Sequence, residues 1–111
     1  MAENISEITV DLENEGEVMV EQLDKVVLTK GVWSTIIFRY RERDRKTNQF
    51  GPAKATLRRY QKFKGVYRKR DAVNLTMDSA KNLIQTLTEW IDKGLLGAAA
   101  SEPDNAEGDN E

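Results

Sequence analysis

The sequence predicts an α+β domain, a small antiparallel sheet followed by one amphipathic helix. Three observations predict it. Residues 33–43, 53–63 and 66–75 read as strands, with polar and apolar positions alternating in the clearest of them. A turn signal separates each from the next. Then, from Thr76, the apolar spacing changes to steps of three and four.

The elements follow in chain order. Residues 1–16 are rich in Glu and Asn and poor in large apolar groups, so they are expected to form a disordered acidic arm. Val18 and Val20 alternate with polar neighbours, and Val26, Val27 and Leu28 form a short run ended by Lys30-Gly31, which makes one bent strand or two. In Trp33 to Arg43, alternation sends Ile36, Phe38 and Tyr40 one way and Thr35, Ile37, Arg39 and Arg41 the other. Asp44 to Pro52 is a loop. In Ala53 to Phe63, alternation groups Ala53, Ala55 and Leu57 against Lys54, Thr56, Arg58, Tyr60 and Lys62. Gly65 marks a turn or bulge before a last strand to Leu75.

The helix has the strongest local signals. Thr76 is a good N-cap, Asp78 stands in the first turn, and Gly94 follows the last turn. Met77, Ala80, Leu83, Ile84, Leu87, Trp90 and Ile91 make one apolar stripe. This stripe is expected to cover a sheet face holding Ile36, Phe38, Ala55 and Leu57. The folded unit is then residues 17–94, and 95–111 is expected to be a disordered acidic tail.

Charge is divided sharply along the chain. The net value of −2 conceals eight acids and no base in residues 1–24. Residues 25–70 hold fifteen bases against Glu42 and Asp44 alone, and residues 71–111 hold nine acids and two bases. So basic a segment repels itself unless a polyanion or the protein's own acidic ends screen it. Arg39, Arg41, Lys54, Arg58, Tyr60 and Lys62 are expected on the face away from the helix, with Arg43, Phe63, Lys64, Tyr67, Arg68, Lys69 and Arg70 near the strand ends. Cations neutralise phosphates, and rings such as Tyr60, Phe63, Tyr67 and Trp33 stack on unpaired bases. A duplex offers few exposed base faces, and a flat sheet fits its major groove less well than a helix does. The expected ligand is therefore single-stranded DNA or RNA. An alternative is that the basic face docks an acidic protein partner.

Catalysis is not expected. The chain has no histidine and no cysteine, the usual groups for proton transfer near neutral pH and for thiolate metal sites. It shows no Gly-rich phosphate loop, and no cofactor is implied. No apolar run approaches a membrane span, and Met1 to Val10 lacks the basic-then-apolar pattern of a secretion signal. A cytoplasmic location, at a nucleoid or inside a host cell, is the expectation. A domain this small also gains from pairing, so a homodimer through Leu83, Leu87, Trp90 and Ile91 is expected.

The run KGVWSTIIFRYRER (residues 30–43), the Gly51-Pro52 turn, the basic strand after it and Asn74-Leu75-Thr76 opening the helix resemble the positive cofactor four family of transcriptional coactivator-like proteins, in its bacterial or phage form. The resemblance covers about residues 25–93. It implies a curved four-stranded sheet followed by a helix, homodimers joined through the helices, and single-stranded DNA bound with low sequence preference in replication, recombination or transcription. It places binding at Arg39, Arg41, Lys54, Arg58, Tyr60 and Lys62. The chain departs from the family in its strongly basic Arg58–Arg70 segment. Its acidic flanks also stand where eukaryotic members carry a serine- or lysine-rich arm, so a coactivator role is not implied; docking of replication or transcription proteins by the acidic tail is the corresponding expectation. The purine-rich-element-binding family shares the strands-then-helix order and also implies binding of single strands.

Overall fold

The computed structural model describes residues 2–97. Five strands, β1 (Leu12–Asn14), β2 (Glu17–Thr29), β3 (Trp33–Glu42), β4 (Lys54–Phe63) and β5 (Val66–Leu75), precede one helix, α1 (Met77–Asp92). They form a curved antiparallel sheet in the order β1-β2-β3-β4-β5. The α+β class stands, with five strands rather than four. The extra strand is β1, Leu12-Glu13-Asn14, three exposed residues too few to show an alternation. Residues 17–29 make one strand whose register shifts twice, between Gln22 and Asp24 and between Val27 and Thr29, which accounts for its broken pattern.

Two hairpins close through pairs of left-handed residues. In the β1–β2 turn, Glu15 and Gly16 have φ of 54° and 80°; in the β4–β5 turn, Lys64 and Gly65 have 52° and 82°. Two positive φ values in a two-residue loop are what a type I′ turn requires, and its twist matches the strands it joins. Glycine takes such an angle without the Cβ clash that other residues meet. The connection from β3 to β4 is longer and is shaped by Asp44, whose Oδ1 accepts the Lys46 amide at 2.7 Å.

The core lies on one face of the sheet. Ile36 and Phe38 are fully buried, Tyr40 and Tyr60 nearly so, and the residues that complete the cluster are Ile8 and Val10. Residues 2–11 therefore do not form a disordered arm: with Ala2 and Ile5 they lie across the sheet and roof it. Ile5, Ile8 and Val10 are widely spaced among polar neighbours, so no helical or strand period reveals them.

The helix does not cover that face. Thr76 caps it as expected, its Oγ1 accepting the Ser79 amide at 3.1 Å while Ser79 Oγ accepts the Thr76 amide at 2.9 Å. Such a cap contributes about 1 kcal/mol. None of its residues is buried, and Trp90 is 44% exposed. Only its first turns approach the sheet, where Met77 and Ala80 border a groove of about 440 Å³ with Ile37, Ala55 and Leu75. Among the described residues, no helix is long and apolar enough to cross a membrane.

Candidate nucleic-acid interface

Strand register decides which side chains share a surface. In the β3–β4 ladder Ile36 faces Arg58, Phe38 faces Thr56 and Tyr40 faces Lys54, while Ile37 faces Leu57 and Arg39 faces Ala55. Paired residues project from the same side. The single basic face is thus overturned: Lys54, Arg58, Tyr60 and Lys62 lie on the side of Ile36 and Phe38, under and around the N-terminal segment. Arg39 and Arg41 lie on the other side with Leu57 and Arg59. The expected joint face of Ile36, Phe38, Ala55 and Leu57 does not exist for the same reason.

A second division runs along the strands. At the end where β3 finishes, Arg41, Arg43 and Lys54 are tied to the chain's own acceptors, while Arg45 and Lys46 in the following loop have no carboxylate within ion-pair distance among the described residues. Arg41 Nε donates to Glu21 Oε1 at 2.6 Å, and Lys54 Nζ donates to Glu42 Oε1 at 2.8 Å. The Glu42 carboxylate raises the Lys54 pKa above its ordinary value of 10.5. Arg43 donates from Nε to Val18 O at 2.9 Å and from Nη1 to Asn48 O at 3.0 Å, with Glu17 at 3.8 Å. The Arg41 and Arg43 guanidiniums also lie over the Phe50 ring, 4.2 and 4.4 Å from its centre. These residues brace the β3–β4 loop.

The other end is different. The β4–β5 hairpin presents Lys62, Phe63, Lys64, Tyr67, Arg68, Lys69 and Arg70 about the Lys64-Gly65 turn. Among the described residues, no carboxylate lies within ion-pair distance of its cations or of Arg58. Phe63 is 48% exposed. Lys62 sits over the Tyr67 ring and Lys64 over the Phe63 ring, both 5.4 Å from the centre. Arg70 is the extra residue of a bulge opposite Arg59 and Tyr60, and its Nε donates to Gln61 Oε1 at 3.0 Å. The bulge turns Arg70 to the same side as Arg59 and Arg68.

Two cations outside the expected set make contacts, Arg59 beside this surface and Lys25 on β2, opposite Phe38. Arg59 pairs with Asp71 at 2.6 Å and lies 4.5 Å from the centre of the Trp33 ring. Its alternation with Leu57 was the available signal. Lys25 points to the core side, where its Nζ donates to Ile5 O at 2.6 Å and Ile8 O at 2.8 Å. Partial burial lowers its pKa. Tyr60 is 6% exposed, so it is a core ring here rather than an open platform.

No protein-family model, curated protein or solved structure matches the chain.

Proposed function

We propose that the protein binds single-stranded nucleic acid, chiefly DNA and with little sequence preference, through the β4–β5 hairpin and the Trp33–Arg59 surface next to it, and that it catalyses no reaction. One observation carries this reading: Lys62, Lys64, Arg68, Lys69 and Arg70 at the hairpin have no carboxylate partner among the described residues, while Arg41, Arg43 and Lys54 at the opposite end of the sheet do. Unpaired cations beside exposed rings suit a ligand with phosphates and unstacked bases. The pattern shared with the positive cofactor four family points the same way, toward a role in replication, recombination or transcription.

The reading includes a homodimer. Leu83, Leu87, Trp90 and Ile91 are all exposed along one helix stripe. On the sheet side away from the core, Val26 and Val73 are exposed as well. A second copy can cover both surfaces, whereas one copy leaves them to water. Light scattering at micromolar concentration should give twice the mass of the chain, and a monomer would contradict this part.

A titration with labelled single-stranded DNA, RNA and duplex tests the binding. Single strands should bind at about 50 mM salt and lose affinity steeply as salt rises. No binding of any single strand at that salt defeats the proposal. Docking of an acidic protein is the second reading, favoured by Glu21 and Glu42 already engaging Arg41 and Lys54. Competition by polyglutamate but not by oligonucleotide would select it.

A further inference from the structure

The N-terminal segment lies over a set of side chains that suits a single strand better than it suits a peptide. Register places Phe38 and Tyr40 two positions apart on β3 and Tyr60 opposite Ser34 on β4, beyond the Ile36–Arg58 pair, all on the core face, with Lys54 beside Tyr40 and Lys69 beside Tyr60. Aromatic rings on central strands, with cations among them, are how open sheets hold splayed bases and the backbone that carries them.

Three features set this roof apart from an ordinary core layer. Its backbone joins the sheet at one β-bridge, where the Tyr67 amide donates to Ala2 O at 2.8 Å, and until β1 begins it is otherwise held by the Lys25 and Gln22 side chains, the Gln22 amide on Asp11 Oδ1 and the burial of Ile8 and Val10. Its polar fit is incomplete: Arg58 Nε is buried without a hydrogen-bond acceptor. Its charge is anionic, with Glu3, Glu7 and Asp11 and no base, over a floor that carries Lys25, Lys54 and Arg58.

We infer that residues 2–11 occupy a base-stacking floor and are displaced by single-stranded nucleic acid, whose bases then stack on Phe38, Tyr40 and Tyr60. The inference rests on the binding reading above. It makes the open hairpin the point of first contact and the covered face the site of tight binding. Phosphate oxygens would replace the Ile5 and Ile8 carbonyls as acceptors for Lys25 and supply the acceptor that Arg58 Nε lacks.

The full chain carrying Ala2→Cys and Tyr67→Cys tests it. The two positions are direct partners in an antiparallel bridge, a spacing that a disulfide can span. The sequence has no cysteine, so the introduced pair is unique and a mild thiol oxidant forms no disulfide in the unaltered protein. With a single strand of about 30 nucleotides, the oxidised chain should bind at least about tenfold more weakly than the same chain reduced. Equal affinity in the two states overturns the inference while leaving hairpin binding intact. If the unaltered protein binds no single strand, the parent reading fails and this one with it. Hydrogen exchange on the unaltered protein decides the matter even if the double variant does not fold. A saturating strand should speed exchange at the Ile8 and Tyr67 amides, whose acceptors are Ile5 O and Ala2 O. Unchanged protection at both would overturn the inference.

Discussion

The two ends of the sheet carry similar numbers of cations and use them differently. Where β3 ends, Arg41, Arg43 and Lys54 spend their hydrogen bonds on Glu21, on loop carbonyls and on Glu42. At the β4–β5 tip, Lys62, Lys64, Arg68 and Lys69 meet no carboxylate among the described residues. Composition alone makes these ends alike. What separates them is the location of acids: β2 brings Glu17 and Glu21 alongside the end of β3, while the one acid of the β4–β5 hairpin, Asp71, is engaged by Arg59. A count of basic residues is therefore a poor measure of an interface, and a count of unpaired ones is better.

Several substitutions would break or sharpen this contrast. The largest effect is expected at Tyr60, a buried ring at the root of the same hairpin. Tyr60→Ala should cost about 3 kcal/mol of stability, measured by urea unfolding, because it empties a packed site. At the tip, the triple change Arg68→Ala, Lys69→Ala, Arg70→Ala should leave the fold intact and weaken single-strand binding about a hundredfold at about 50 mM salt. It should also reduce the magnitude of the salt slope by about 2. A retained slope would mean that the tip does not touch phosphate. Gly65→Ala should cost about 1 kcal/mol, since φ is +82° there, and should weaken binding only through loss of the turn.

Smaller effects are expected at the braced end. Arg41→Ala breaks a half-exposed ion pair and should cost at most about 1 kcal/mol, with affinity changed less than about twofold. A large binding loss there would erase the distinction between the ends. The smallest effect is acid loosening of the N-terminal turn. The Glu7 carboxylate accepts the Glu3 and Asn4 amides, which hold its pKa below 4.5. Its stabilising contribution is thus present above 4.5 and disappears as pH falls through the depressed value. Amide exchange near Glu7 and Ile8, once corrected for its intrinsic pH dependence, should lose protection in that range before the rest of the sheet does.

Local features were legible in the sequence because local chemistry creates them. Thr76 and Asp78 announce the start of α1, and Gly65 announces the β4–β5 turn. Alternation sorted each of β3 and β4 correctly into two sets of residues. It could not show which set of β3 joins which set of β4, because the ten or so residues between them do not fix register, and a slip of one position exchanges the faces. That single unknown wrongly grouped Arg39 with Arg58. The roof was hidden for another reason: Ile8 and Val10 gain burial from distant strands, and nothing in residues 1–16 signals a partner.

Strand β5 closes the sheet on one side with most of its outer backbone unpaired by any neighbour, and three successive cations, Arg68, Lys69 and Arg70, stand along it. Successive residues project to both sides, so like-charge repulsion meets any approaching copy from either surface of the ribbon. Added salt screens that repulsion within about 8 Å at physiological ionic strength and within about 3 Å at 1 M. The concentrated brine that would strip a bound polyanion from this protein also lowers its guard against edge-to-edge clumping, so purification must trade clean release against colloidal stability.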